Sequence, residues 1–149
     1  MQSNNDLHNS VKTMTVLAPR ALATVAGSKT AKIIDRQGYG GVEFIFSYGA
    51  TSASTAAIPV LIKEGDATGT MTSVADEDLL GTEALAGIGL VARTSGTGKN
   101  VTKRIGYKGT KRFVTAYIGT VSAAVVTVAN IFGIAAVLHS PSLAPTSNP

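Results

Sequence analysis

Residues 101–120 read VTKRIGYKGTKRFVTAYIGT, and this stretch decides the fold class. β-Branched and aromatic residues alternate with polar ones on both sides of residues 108–110 (KGT), which contain a glycine. Such alternation around a short glycine turn predicts two β-strands joined as a hairpin. In the second strand, from Phe113 to Ile118, both alternating faces are mostly apolar. We therefore expect an interior strand there, with neighbours on both sides.

The same stretch carries a basic cluster, because residues 99–112 contain six bases and no acid. Solvated strand ends, a protein–protein contact and a nucleic-acid contact through phosphates are the three interpretations. Nucleic acid is the least favoured, since Tyr107 and Phe113 belong to alternating strand faces and not to one stacking surface. We predict that the end of the hairpin is a contact surface for a protein partner. The predicted partner-binding residues are Lys103, Arg104, Lys108, Lys111 and Arg112.

The rest of the chain is organised as further short strands. Residues 42–48 (VEFIFSY) alternate most clearly in the first half. Pro59 lies in a strand-like run and predicts an edge strand or a bulge. Residues 73–81 predict one capped helical turn. Residues 82–93 predict another strand, centred on GIGLVAR. The tally is seven or eight short strands and at most one short helix, which favours an all-β antiparallel sandwich or jelly roll.

Three parts of the chain differ in composition. Residues 1–30 begin with a polar segment and contain Pro19, so we expect an extended N-terminal arm or edge strand. Residues 31–138 hold the strand patterns and predict the β-sandwich domain. Residues 139–149 contain three prolines and predict an extended C-terminal tail.

The charge pattern points to assembly. Charged residues make up 15% of the 149 residues, against about 25% in soluble domains. A surface poor in charge is typical of a subunit that packs against others, and an ordinary small β-domain is the alternative. Residues 1–83 hold all nine acids and six bases, whereas residues 84–149 hold seven bases and no acid. Segments of opposite sign can pair within one fold or between copies.

Several function classes lack support in the sequence. Residues 94–100 (TSGTGKN) depart from a phosphate-binding loop, because Arg93 replaces its first glycine and a strand follows. The acids of residues 76–78 lack the spacing of a calcium loop. His8 and His139 have no nucleophile or carboxylate at a recognisable spacing, and cysteine is absent. We therefore expect no enzyme, no cofactor and no bound metal.

Neither a secretory signal nor a membrane segment is expected in this chain. The start, MQSNNDLHNS, is polar and lacks the apolar core of a secretory signal. Residues 113–138 are 26 residues without charge, longer than the ~20 that span a bilayer. Glycine, serine, threonine and asparagine interrupt this run, and its β-branched residues suit strands. We expect strands there and no membrane segment.

Four stretches together resemble small virion proteins of tailed bacteriophages that are found beside the major capsid protein. They are IDRQGYGGVEFIFSYG, IKEGDATGTMTSVADEDLLGTEA, RIGYKGTKRFVTAYIG and AVLHSPSLAP, within residues 33–145. The resemblance lies in strands and turns and includes no functional motif. Residues 1–30 depart from it, which leaves the role of the arm open.

The resemblance implies an all-β accessory protein of the head, of the decoration or cement kind. Its partners would be the major capsid protein and copies of itself, so a homo-oligomer on the capsid surface, made in the host cytoplasm, is expected. The alternatives are a head-completion or tail component, a β-sandwich binding module that is not viral, and a hydrolase without a recognisable motif.

Overall fold

The computed structural model describes residues 7–21, 31–49, 58–87, 100–119 and 131–142. Within these residues the chain forms nine strands in two antiparallel sheets that enclose one hydrophobic core. The strands are β1 (Val11–Ala21), β2 (Ile34–Asp35), β3 (Tyr39–Tyr48), β4 (Val60–Gly65), β5 (Thr72–Ser73), β6 (Leu79–Leu80), β7 (Val101–Tyr107), β8 (Phe113–Ile118) and β9 (Ile131–Pro141). The fold is the antiparallel all-β sandwich that the strand pattern predicts.

The two sheets have five and four strands. The five-stranded sheet has the order β1-β9-β3-β7-β6, and the four-stranded sheet has the order β2-β8-β4-β5. Short helices lie beside them: α1 (Leu7–Ser10) precedes β1, a 3₁₀ turn (Asp76–Asp78) precedes β6, and α2 (Glu83–Ala86) follows it. No helix in the described part of the chain is long and apolar enough to cross a membrane.

Alternate apolar residues of β3 and β8 build the core. In β3 the inward side chains run from Val42 to Tyr48 at every second position, and all are buried. In β8 the alternate residues Val114, Ala116 and Ile118 are buried. Three aromatic rings, from Phe46, Tyr48 and Phe132, pack together with centroids 5.0 to 6.4 Å apart. The prediction that β8 is an interior strand is confirmed, because it lies between β2 and β4.

The predicted hairpin at residues 101–120 is wrong. β7 pairs with β3 and β6 in one sheet, whereas β8 pairs with β2 and β4 in the other. Residues 108–112, which we name the crossover, therefore pass between the sheets. All seven residues of β7 find a partner in β3 and all six of β8 find one in β4. These long registers bury the apolar face of each strand in the common core, which a two-stranded hairpin could not do.

Residues 73–81 also differ from the prediction. Ser73 belongs to β5, and the acids that follow form the 3₁₀ turn, whose N-cap residue Ala75 makes no side-chain cap. The helix with a side-chain cap is α2, where the Thr82 hydroxyl accepts a hydrogen bond from the Leu85 amide at 3.2 Å. The expectation of at most one short helix is therefore wrong. The strand expected at residues 82–93 is wrong at its start, because Glu83–Ala86 form α2, and residues 88–93 lie outside the described part.

The edge of β4 is shielded by other parts of the same chain. β4 has β8 on one side, and on the other β5 covers only Lys63 and Glu64. Next to them, the Glu83 carboxylate accepts a hydrogen bond from the Ile62 amide at 2.6 Å. Pro59 stands just before β4, where its missing amide costs no ladder hydrogen bond. Short strands and side chains at an edge are a recognised defence against unwanted pairing.

Parts of the predicted arm and tail are extended and paired. β1 forms an edge of the five-stranded sheet along β9, with register shifts on either side of Leu17. His139 and Pro141 belong to the last residues of β9, and His139 lies opposite Val11. Residues 1–6, 22–30 and 143–149 of the arm and tail lie outside the described residues, so the division at 30 and 138 stays a prediction.

Candidate functional site

Charged side chains collect at one end of the sandwich, which we name the charged end. Here β2, β4 and β7 end and β3 and β8 begin, and the crossover joins the sheets. The residues concerned are Asp35, Arg36, Glu64, Asp66, Asp78, Lys108, Lys111 and Arg112. The acids in this set come from strands and turns distant in sequence, so the end is mixed in charge and not basic.

Arg36 organises the charged end. It lies in the turn between β2 and β3, which the positive φ of Gly38 (88°) permits. Its guanidinium donates to the carbonyls of Lys111 and Gly109, both at 2.6 Å, and to that of Gly40 at 3.0 Å. The same group stacks over the Tyr107 ring, 5.3 Å from the centroid. Arg36 therefore fixes the crossover to the β2–β3 turn through backbone atoms.

Tyr107, the last residue of β7, lies under Arg36 and is almost fully buried. Its hydroxyl donates to the Glu64 carboxylate of β4 and accepts a hydrogen bond from the Lys111 amide at 3.0 Å. Burial raises the pKa of Tyr107, and the neighbouring Glu64 carboxylate raises it further. The hydroxyl therefore stays protonated at physiological pH. Its hydrogen bond to Glu64 joins the two sheets, and its hydrogen bond from Lys111 holds the crossover beside them.

Three ion pairs join the acid-containing half of the chain to the basic half. They are Lys111 with Asp66 at 2.6 Å, Arg112 with Asp35 at 2.6 Å and Arg104 with Glu43 at 3.6 Å. Hydrogen bonding to Asp66 raises the pKa of Lys111, and hydrogen bonding to Asp35 raises the pKa of Arg112. Of the two arrangements that the sequence allows, pairing within one fold is therefore present.

The Asp35–Arg112 pair predicts a small dependence of stability on pH. The Arg112 guanidinium, and then the Gln37 amide, hold the pKa of Asp35 below its usual range, partly offset by desolvation. A carboxyl with a lowered pKa stabilises the fold above the ordinary pKa, and this contribution is lost as the pH falls through the lowered value. Urea unfolding of the native chain and of Asp35→Asn should differ at pH 7 and converge at low pH. A constant difference at both pH values would contradict the pair's contribution.

Lys103 and Arg104, two of the five predicted partner-binding residues, lie away from the charged end. The Lys103 ammonium donates to the carbonyls of Leu85 at 2.9 Å and Gly87 at 2.5 Å, at the end of α2. A cation at this position satisfies the free carbonyls of a helix end. Arg104 lies opposite Ile45 on the outer face of the five-stranded sheet, with 80% of its side chain exposed.

The other three predicted residues, Lys108, Lys111 and Arg112, lie on the crossover. Lys108 is exposed and its amide donates to the Asp78 carbonyl at 2.9 Å. Lys111 and Arg112 remain about half exposed although both are paired with acids. The structure thus brings three of the five together and separates Lys103 and Arg104 from them. Partner binding by these residues stays a prediction.

The outer face of the four-stranded sheet carries aromatic rings with cations over them. Phe113 and Tyr117 lie half buried on this side of β8. The Lys63 ammonium of β4 stands 5.3 Å from the Tyr117 ring centroid, and the Arg112 guanidinium 4.9 Å from that of Phe113. Leu61 lies directly opposite Tyr117. We name these five residues the aromatic face.

The outer face of the five-stranded sheet has the opposite character, with small and aliphatic side chains. Along β1, β3 and β9 it presents Thr15, Ile45, Ser47, Gly133, Ala135 and Val137, which we name the small-residue face. A depression of about 210 Å³ lies within it, bordered by Pro19 and Leu17 where β1 changes register. Pro19 packs over Gly133, where a side chain would have no room.

The sequence pattern missed two parts of this arrangement. Arg36 stands alone between Asp35 and a glycine-rich turn, and only its carbonyl partners from the crossover reveal its position. The shared face of Phe113 and Tyr117 follows from the alternation of β8, but the cation over Tyr117 comes from β4. That contact depends on the β4–β8 register, which the sequence does not display.

In the described ranges, no three histidine, cysteine, aspartate or glutamate side chains are arranged to hold a metal ion. His139 lies over Gly41, and its Nδ1 is 3.1 Å from the Ser140 hydroxyl. Comparison with protein-family models and with curated proteins found no match.

Proposed function

We propose that this chain is a structural subunit of a tailed-bacteriophage virion, of the decoration or cement kind. It binds the major capsid protein on the outer surface of the head and stabilises the shell without catalysing a reaction. The resemblance of residues 33–145 to small virion proteins and the low content of charged residues support this function. Synthesis in the host cytoplasm and a place on the capsid surface belong to the same proposal.

The aromatic face is the observation that carries the proposal. Tyrosine, phenylalanine and arginine side chains are enriched in protein interfaces, where they supply most of the binding energy. Tyr117 and Phe113 are half buried on a β-strand and already contact their cations, so less side-chain entropy is lost on binding than for free side chains. This surface is therefore suited to bind another protein.

Charge indicates which kind of partner surface fits the aromatic face. Lys63 contacts Tyr117 through its ammonium, and Arg112 shares its charge with Asp35. Lys63 makes no ion pair in the described part of the chain, whereas Lys111 and Arg112 are paired with acids. The face therefore favours a partner surface that is partly apolar and carries an acid near Lys63. Arg112 belongs to this face and Lys111 lies beside it on the crossover, so both keep their predicted partner-binding role in this proposal. Arg104 lies on the opposite side of the sandwich.

Shell stabilisation follows from mass action. A subunit that binds adjacent shell proteins only when they are assembled lowers the free energy of the assembled state. Each bound copy stabilises the contacts between the shell proteins next to it, and many copies on one head stabilise the whole shell. Individual contacts of modest strength can then resist the outward pressure of packaged DNA.

The first test is the copy number of the chain in purified particles. A shell subunit is expected in hundreds of copies, whereas a head-completion or tail component would be present in about six or twelve by the symmetry of a ring. Particles that lack the chain should form and then lose DNA at lower temperature than complete particles. Absence of the chain from particles would favour a binding module that is not viral and overturn the proposal.

The aromatic face can be tested with a matched pair of variants. Tyr117→Ala removes the ring and should reduce binding to depleted particles about tenfold or more, as for an interface residue of this kind. Tyr117→Phe keeps the ring beneath Lys63 and should bind nearly as the native chain does. Binding is measured by co-sedimentation with particles, and unfolding curves check both variants. Equal binding by all three chains would exclude this face from the contact.

A further inference from the structure

We infer that the small-residue face binds the same face of a second copy of this chain, giving a two-fold dimer. This goes beyond the proposed function, because it concerns the opposite side of the sandwich and a different partner. The inference rests on the chemistry of the face, on its charge and on its area.

The chemistry of the face is that of a sheet-to-sheet contact. The exposed positions across β1, β9 and β3 are occupied by Thr15, Ala135 and Ile45 in one row, with Val137 and Ser47 beside them. Small and β-branched side chains let two sheets approach to about 10 Å, the spacing of packed sheets. Interfaces between identical subunits are also depleted of charge at their centre.

The charge of the face favours a copy over other partners. On β3 and β7 it carries one acid, Glu43, and one base, Arg104, which lie 3.6 Å apart. An acidic protein or a nucleic acid would meet no net positive charge there. A second copy would meet a surface with the same neutral pair, and a two-fold axis can place each Arg104 near the partner's Glu43 without like-charge contact.

The area of the face is sufficient for a specific dimer. The outer surface of the five-stranded sheet continues from the small-residue face onto β7, whose exposed Arg104 lies opposite Ile45. Together the four strands β1, β9, β3 and β7 are about 20 Å wide at the usual strand spacing, and β3 is about 30 Å long at the usual rise per residue. Each copy would therefore bury about 600 Å², or about 1,200 Å² in total, at the lower end of stable interfaces. The depression beside Ile45 gives room for an apolar side chain of the partner.

A dimer through this face leaves the aromatic face open. The two faces lie on opposite sides of the sandwich, because one belongs to the five-stranded sheet and the other to the four-stranded sheet. A copy and a shell protein therefore do not compete for one surface. A dimer would present two aromatic faces, one on each side.

The test compares two alanine-to-arginine variants of the full chain. Ala135 is exposed in the centre of the small-residue face, and Ala67 is exposed at the charged end after β4. Sedimentation equilibrium up to about 100 µM should show a dimer for the native chain and for Ala67→Arg, since an interface of this area commonly reaches micromolar affinity. Ala135→Arg should weaken dimerisation about 100-fold, because burial brings a charge against an apolar surface.

Each outcome decides the inference. A native chain that stays monomeric at all concentrations, or an Ala135→Arg chain that dimerises as the native one does, would overturn it. If Ala135→Arg fails to fold, Ser47→Arg probes the same face at another exposed position. These measurements use the isolated chain, so they succeed or fail independently of the copy number in particles.

Discussion

Replacement of Arg36 with alanine is expected to lower the free energy of unfolding by about 3 kcal/mol, because hydrogen bonds to a charged group contribute more than neutral ones. The variant would leave the carbonyls of Lys111 and Gly109 without their donor and uncover the Tyr107 ring. The crossover would then lose its attachment to the β2–β3 turn. Urea unfolding followed by circular dichroism measures this change.

Arg112→Ala is the matched control at the same end of the sandwich. Arg112 pairs with the side chain of Asp35, and both are substantially exposed. An exposed ion pair contributes little to stability, so Arg112→Ala should lower the free energy of unfolding far less than Arg36→Ala does. If both variants lost the same amount of unfolding free energy, Arg36 would act only as a surface charge and would not fix the crossover to the β2–β3 turn.

Phe46→Ala should cause the largest loss of stability, about 3 to 5 kcal/mol, through lost apolar burial and the cavity left behind. Phe46 is fully buried in β3 and contacts the rings of Tyr48 and Phe132. Tyr48 lies two residues further along β3, and Phe132 lies on the neighbouring strand β9. Both are held by the pairing of their strands, so the cavity cannot close without a movement of the backbone. The melting temperature and the urea midpoint should both fall.

Ile45→Ala provides the comparison, because Ile45 is the next residue along β3 and points to the outer face. Its loss should cost about 1 kcal/mol, since a half-exposed side chain forfeits less buried area. The difference between the two variants tests the alternation of β3 directly. Equal losses would mean that β3 is not divided into an inner and an outer face.

The sequence was sufficient where a local pattern decides the structure. Alternation in residues 42–48 and from Phe113 to Ile118 identified two strands and the residues that share a face in each, because side-chain direction in a strand depends only on position along it. Which face of Phe113–Ile118 is the inner one was not predicted, since both faces are mostly apolar. The hairpin predicted at residues 108–110 was wrong because strand pairing there is decided by distant residues and not by the local pattern. The glycine there suits a hairpin, but pairing was decided by β3 and β4, which lie far away in the sequence.

The predicted contact surface shows the same limit. Basic residues cluster along residues 99–112, but strand direction sends Lys103 to α2 and Arg104 to the small-residue face. The acids that pair with Lys111 and Arg112 come from the turn after β4 and from β2. A run of like charges in sequence therefore did not predict a patch of like charge in space.

The pairing of β1 with β9 has a consequence for the order of events during synthesis. β9 is the last described strand, yet it lies between β1 and β3 in the five-stranded sheet. Until Ile131–Pro141 has left the ribosome, β1 has no place in the sheet, and β3 lacks a neighbour on one side. Such distant pairing makes folding slow and leaves apolar strands exposed meanwhile. The five-stranded sheet therefore cannot be completed in the nascent chain before β9 is synthesised. A ribosome that stops before residue 131 releases an incomplete and aggregation-prone sheet.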